Sequence, residues 1–472
     1  MLRQAQHERV WGWLPRLPSP AGASPVDDET PDYRSRKVPS SRAARIGAFG
    51  KLAGGVAGGV LAEGARRLAR GERPSLRQAI LTPGNAMRLA DQLAHLRGAA
   101  MKLGQMISMD AGDMLPPELA LILARVREQA DRMPPNQLRD VLDAEWGKGW
   151  LARFDKFNPR PIAAASIGQV HRAVAKDGRE LAIKVQYPGV RESIDADVDN
   201  VATLLKLSGL LPAELDFAPL LAEAKRQLHE EADYAREGEQ MMLYRERLAS
   251  EDHFVVPAIA SEFSTARVLA MDFVPGRPVE ELESAPQDER DRVATQIIAL
   301  VLRELFTFGV MQTDPNFANY RYQPESGKLV LLDFGATRAV DPQVAASYRD
   351  LLAAGLAQDR DAVRVAALEA GFVSPGVIAA QGERFATIID VIVTEMNRPG
   401  LFDFGDRAFI AVLRDEGMEM AADRAAWHIP PVETLFVQRK ISGTALLCAR
   451  LKAMVDVRGL VRPYLESAGL SA

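Results

Sequence analysis

Asp314-Pro315-Asn316-Phe317-Ala318-Asn319 places an acid five residues before an asparagine, and Leu331-Leu332-Asp333-Phe334-Gly335 brings a second acid nineteen residues after the first. The amide of Asn319 and the carboxylate of Asp333 suit magnesium, which takes hard oxygen ligands and accepts few of them from protein. Kinase-type phosphoryl transfer uses an acid so placed to orient or deprotonate the nucleophile, which makes Asp314 the candidate for it. The apolar run Leu329-Val330-Leu331-Leu332 reads as a buried strand that delivers Asp333. The tripeptide alone is weak evidence, because Asp403-Phe404-Gly405 repeats it. That second copy reads as an ordinary turn.

The rest of the chain bounds the chemistry. At 472 residues it has room for two to four lobes. Hydrophobic residues make up 47% and charged residues 26%, a soluble globular balance. A net charge of −5 gives no reason to expect a nucleic-acid partner. The lone Cys448 excludes an internal disulfide and a cysteine-based zinc site, and its apolar surroundings read it as a small buried hydrophobe. No stretch reaches the eighteen or so apolar residues of a spanning helix, and no signal-peptide layout is present. These features predict a cytoplasmic protein.

Residues 1–38, rich in Pro, Ser, Asp and Arg, read as a mobile tail. In the next segment Gly50, Gly54 and Gly58 fall on one helical face, flanked by Arg42, Arg45 and Lys51 before and Arg66, Arg67 and Arg70 after. Two readings fit it: close helix–helix packing, and a peripheral contact with the inner face of a membrane. From 85 to 128, Leu89, Leu93, Leu96, Ala100, Leu103 and Ile107 form a helical core stripe, beside a second face of Gly98, Lys102, Gln105 and Met109. Residues 39–150 thus read as an all-helical extension. The period changes at Ile162–Val185 to strand, loop, strand, with a turn at Asp177-Gly178. Helical patterns fill 190–248, strand returns over 254–274, and helices dominate from 283, broken by strands around 310–340.

Protein kinases cover nucleotide phosphates with G-x-G-x-x-G-x-V and grip them with a lysine on the next strand. Ala163-Ala164-Ala165-Ser166-Ile167-Gly168-Gln169-Val170 fits that loop in register, with Ala163 and Ala165 at the first two glycines. Lys184, in Leu181-Ala182-Ile183-Lys184-Val185, is the matching lysine. Alanine adds a Cβ where glycine allows close backbone approach, so this loop should hold nucleotide differently. Met271-Asp272-Phe273-Val274-Pro275-Gly276 reads as a hinge whose backbone meets adenine, with Met271 and Phe273 as candidates. A buried Lys184 needs a carboxylate, and both Glu231 and Glu237 lie in a suitable helical interval. After Gly335 there is no long activation segment and no Ala-Pro-Glu anchor, and Gln312-Thr313 replaces His-Arg before Asp314. That argues against a conventional protein kinase.

Four motifs together resemble the UbiB/AarF atypical kinase-like family, and the resemblance runs from about Arg36 to Tyr464. They are Lys102-Leu103-Gly104-Gln105, the Ala-rich loop at 163–169, Glu231-Ala232-Asp233, and Gln312-Thr313-Asp314-Pro315-Asn316-Phe317-Ala318-Asn319. The last is similar to the mitochondrial-type, coenzyme Q biosynthesis branch. The resemblance implies that Lys102 and Gln105 reach into the active site from the extension. It implies further that Glu231 pairs with Lys102 and Glu237 with Lys184. On its own pattern Lys102 reads as a snorkelling surface lysine. The family also implies ubiquinone biosynthesis, ATP hydrolysis, and partners among quinone-precursor lipids, biosynthetic enzymes and a membrane surface.

The expected fold is therefore α+β: a bilobal protein-kinase-like fold, with an N-lobe over 151–275, a mostly helical C-lobe over 276–472, and the helical extension before them. The expected activity is that of a Mg²⁺–ATP-dependent ATPase or small-molecule kinase, with Asp314 as base, Asn319 and Asp333 as metal ligands and Lys184 as phosphate grip. The alternative is a nucleotide-binding scaffold with little phosphoryl transfer.

Overall fold

A computed structural model describes residues 133–165, 167–207, 218–406, 408–422 and 431–469. The tail, the Gly-rich segment, most of the helical extension with Lys102 and Gln105, and Ser166 lie outside the described residues. The fold is α+β and kinase-like, in two lobes.

The described residues open with α1 (Pro135–Trp146), started by a proline in its first turn and packed on the N-lobe sheet. An antiparallel sheet follows from β1 (Phe154–Phe157), β2 (Ala163–Ala164), β3 (Gly168–Ala175) and β4 (Glu180–Gln186). The β3–β4 hairpin turns at Asp177-Gly178, where Gly178 takes φ +85° and donates its N–H to the Ala175 carbonyl. Three helices come next: α2 (Ile194–Leu207), α3 (Ala218–Glu231) and α4 (Tyr234–Arg247). Then come β5 (Phe254–Val255) and β6 (Val268–Asp272), the latter completing the order β1-β3-β4-β6.

Strand alternation divides this sheet between two cores. Leu181, Ile183 and Val185 pack with Leu138, Leu142, Trp150, Phe154 and Phe263 on the α1 side. Lys184, between two of them, faces the other way, toward α4. On α4 the residues Tyr234, Glu237, Gly238, Met241 and Tyr244 are buried, a spacing of three and four that forms one inward stripe. Glu237 occupies a core position on that stripe.

Strand returns over 254–274 as expected, in two short strands that join different sheets. β5 pairs in parallel with a C-lobe strand, and only β6 joins the N-lobe sheet. Pro257 supplies no N–H for a ladder, and a 3-10 turn at Ser261–Phe263 redirects the chain.

The C-lobe opens with β7 (Arg277–Pro278) and α5 (Gln287–Arg303), whose last turn widens into a π turn at Glu304–Phe308. Then come β8 (Val310–Gln312), β9 (Tyr320–Gln323), β10 (Lys328–Leu331) and β11 (Thr337–Ala339). One small sheet has the order β5-β10-β9-β7, and β8 pairs with β11. Helices α6 (Pro342–Leu356), α7 (Arg360–Glu369) and α8 (Pro375–Met396) follow, then β12 (Phe402–Asp403) and α9 (Ala408–Ala422). The described chain closes with α10 (Val432–Leu451), β13 (Met454–Val455) and α11 (Val457–Glu466). Among the described residues, no helix is long and apolar enough to cross a membrane.

Candidate nucleotide site

The Lys184 ammonium lies 2.8 Å and 2.9 Å from the two carboxylate oxygens of Glu237, and 3.3 Å from Oδ2 of Asp333. Its side chain is 10% exposed and that of Glu237 is fully buried. The aromatic ring of Tyr234 lies 5.1 Å from the ammonium. Burial alone would lower the pKa of Lys184. The carboxylates of Asp333 and Glu237 outweigh it and hold the ammonium well above the usual lysine range. Burial raises the Glu237 carboxyl to about 7, against the pull of Lys184.

The choice between Glu231 and Glu237, open from sequence, is thus resolved for Lys184. Helix α3 ends at Glu231, and Asp233 caps α4 by accepting the backbone N–H of Arg236 at 3.1 Å. Six residues apart, Glu231 and Glu237 would lie on different faces even of an unbroken helix, and here they lie on different helices. Glu231 instead sits beside the Asp333 turn: a Cβ placed on Gly335 would lie 3.5 Å from the Glu231 Cα. Its sequence-predicted partner Lys102 lies outside the described residues.

The two acidic motifs are joined by backbone. Thr313 donates both its N–H, at 3.0 Å, and its hydroxyl, at 2.8 Å, to the Ala336 carbonyl. The Leu332 N–H reaches the Asn319 carbonyl at 3.0 Å, and Thr337 faces Gln312 across the β8–β11 pair. Asn319 donates its side-chain amide to the Asp314 carbonyl at 3.1 Å, which closes the loop between them. Oδ1 of Asp333 accepts the Gly335 N–H at 3.0 Å. Asp314, Asn319, Asp333, Lys184 and Glu237 therefore form one connected group.

Above them, Ala163 and Ala164 form β2 and pair with Val170 and Gln169, while the Ala165 N–H closes the turn on the Gly168 carbonyl at 2.9 Å. Val170 faces Lys184 directly across β3–β4. Gly168 has no room for a side chain, since a Cβ there would press on the Val185 carbonyl oxygen. At the hinge, Met271 is buried opposite Ala182 in the β4–β6 ladder. The Phe273 N–H donates to the Glu180 carbonyl at 2.8 Å.

The short segment after Gly335 is clamped. Arg236 donates to the Gly335 carbonyl at 2.9 Å and also to the Thr337 carbonyl. Arg338, almost wholly buried, pairs with Glu223 at 2.7 Å and Glu230 at 3.3 Å. Neither arginine stood out in the sequence. The second Asp-Phe-Gly, at 403–405, is a turn at the end of β12, far from this chemistry in kind: Asp403 pairs with Met454.

The donor set fits magnesium. The Asn319 amide nitrogen is engaged with Asp314, so its oxygen is the atom that could meet a metal, and the Asp333 side chain is 34% exposed. Among the described residues no group of three His, Cys, Asp or Glu side chains could hold a metal alone. An ion completed by phosphate oxygens and water suits such a pair.

Residues 125–367 match the ABC1 atypical kinase-like domain. The chain is 39% identical over 431 residues to "Atypical kinase COQ8B, mitochondrial" of Rattus norvegicus, covering 90% of this chain and 81% of that protein. It is 35% identical over 440 residues to "Atypical kinase COQ8, mitochondrial" of Saccharomyces cerevisiae, covering 92% and 87%. Among solved structures, the Rv3197–erythromycin complex from Mycobacterium tuberculosis is similar with a TM-score of 0.56 and 25% identity, covering 82% of this chain and 97% of that one. With this likeness along about nine-tenths of its length, the chain belongs to the ABC1 atypical kinase family, the UbiB/COQ8 group.

Proposed function

We propose that this chain is a Mg²⁺–ATP-dependent ATPase or small-molecule kinase that supports ubiquinone biosynthesis at a membrane surface. The observation that carries the reading is the Lys184–Glu237 ion pair with Asp333 at its edge, in one piece with the Asp314–Asn319 loop. Lys184, held protonated, would grip the α- and β-phosphates. Asn319 and Asp333 would hold magnesium, which supplies charge neutralisation for the phosphates when bound. Asp314 would orient or deprotonate the attacking oxygen. The loop of Ala163, Ala164, Ala165, Ser166 and Gly168 would roof the phosphates, and the Met271–Phe273 hinge would hold adenine. Lys102 and Gln105 would close the site from the extension, with Glu231 as partner of Lys102.

The acceptor is better read as water or a small lipid-like molecule than as a peptide. The segment after Gly335 turns into α6 within a few residues and is pinned by Arg236 and Arg338, so it offers no peptide platform. The pathway and the membrane setting rest on relatives named as COQ8 and on the basic, Gly-rich segment. We place the protein in the cytoplasm, peripheral on the inner face of the membrane.

The test is quinone content in a deletion strain of the source organism complemented with wild type or Asp333→Asn, with expression checked beside it. Wild-type rescue without mutant rescue is the expected result. Rescue by both would favour the scaffold reading, and normal quinone in the deletion would remove the pathway.

A further inference from the structure

The segment beyond the matched domain sends one charged side chain into the core beneath the catalytic loop. The inward stripe of α10 reads Phe436, Val437, Lys440, Thr444, Leu447, Cys448, Leu451, and all of these are buried. Lys440 stands where an apolar residue would be expected. Its side chain and that of Glu304 are both 0% exposed. Two charges out of water are costly, so their partners are worth following.

Lys440 donates to the hydroxyl of Tyr320 at 2.9 Å and to the side-chain oxygen of Gln312 at 3.1 Å. Glu304 lies 3.7 Å from the same ammonium. The other carboxylate oxygen of Glu304 accepts the backbone N–H of Gln312 at 3.0 Å and the hydroxyl of Tyr244 at 2.7 Å. Gln312 stands two residues before Asp314, and Tyr320 directly follows Asn319. One ammonium and one carboxylate therefore hold both ends of the loop that carries the candidate base and a candidate metal ligand. Glu304 opens the π turn of α5, a local widening found frequently at functional sites.

We infer that Lys440, with Glu304, is a positioning residue: it fixes the spacing of the Asp314–Asn319 loop from a helix beyond the matched residues 125–367. The inference rests on the proposed ATP-dependent activity for its kinetic consequence, and on geometry alone for its effect on the loop. A pair serving only to attach α10 to the core has no need to engage both ends of one loop. Phe436, Val437 and Ile441 already pack α10 against Val301, Leu305 and Met311.

Lys440→Met alone strands Glu304 in the core and is a risk for folding. The Lys440→Met/Glu304→Gln double variant removes both charges and keeps an oxygen for the Gln312 N–H. Hydrogen exchange of the full chain, MgADP binding and ATP turnover are measured for wild type and for the double variant. The amides between Thr313 and Asn319 should exchange about tenfold faster or more, while those of α10 stay within about twofold of wild type. In turnover, kcat should fall about tenfold or more while KM for ATP moves less than about threefold. Loop exchange and kcat within about twofold of wild type would overturn the inference. So would faster exchange throughout α10, which marks general loosening. If wild type turns over no ATP, the functional reading fails and the exchange comparison still decides the positioning role.

Discussion

Replacing Lys184 by methionine should make stability depend on pH in a way the wild type does not. In the wild type, burial raises the Glu237 carboxyl to about 7 from its ordinary 4.5, and Lys184 pulls against that rise. Without the ammonium the carboxyl remains buried beside Asp333, so its pKa climbs further above 7. Both unfolded chains titrate Glu237 alike. Between about pH 7 and the higher pKa of the variant, the folded variant holds one proton more than the folded wild type. Its stability relative to wild type therefore falls as pH rises, by up to about 1.4 kcal/mol per pH unit. From about pH 7 to pH 8.5 the deficit should grow by about 2 kcal/mol, and below about pH 6 it should be flat. Urea unfolding with EDTA and without nucleotide measures this, read by the fluorescence of Trp146 and Trp150, which pack edge-on in the same lobe. The Lys184→Met/Glu237→Gln double variant is the control and should show no such slope. A deficit constant within about 0.5 kcal/mol from pH 6 to 8.5, or an equal slope in the control, would refute the ion-pair account.

Ala163→Gly and Ala165→Gly should each tighten ADP binding by about threefold or more, because losing a Cβ lets backbone N–H groups approach the phosphates; unchanged titrations for both would count against the loop assignment. Gly168→Ala should destabilise by about 2 kcal/mol or more, since its Cβ would press on the Val185 carbonyl and come within 2.9 Å of the Tyr234 hydroxyl; an unshifted melting temperature would contradict that packing. Burial raises the Cys448 thiol to about 12, so at about pH 8 only about one thiol in ten thousand is thiolate. The native protein should resist iodoacetamide at this position and label there once unfolded.

Much of the site was legible because its motifs are local and rigidly spaced. Lys184 sits on a strand whose neighbours Ile183 and Val185 must face the core, so alternation turns the lysine to the opposite face. The partner of Lys184 was harder. Glu231 and Glu237 both lie in the helical interval between the two strands, and only the contact Lys184 makes with Glu237 chooses between them. The 254–274 stretch does return to strand, but β-forming residues do not reveal which sheet they join: β5 pairs with β10 and β6 with β4. Lys440 was hidden by an assumption. A lysine at a core position of an amphipathic helix reads as a break in the stripe, unless two acceptors and a glutamate are known to converge on it.

The two Asp-Phe-Gly copies show how far local sequence reaches. In each, the aspartate Oδ1 accepts the glycine N–H two residues on, at 3.0 Å for Asp333 and 2.7 Å for Asp403. In each, a short strand leads into the turn. The tripeptide therefore specifies a turn, and it does so equally well in both places. The difference lies across from the turn. Asp333 faces the Lys184 ammonium and is stitched to the Asp314 loop through Leu332 and Asn319, whereas Asp403 is exposed and is paired with Met454. A carboxylate gains a role from groups supplied by distant elements, here β4, α4 and β8. The same reasoning gives weight to Lys440, whose contacts reach 128 residues back along the chain to Gln312. A substitution there should disturb a loop it does not touch in sequence, while the tripeptide at 403–405 should tolerate change with little effect on the nucleotide site.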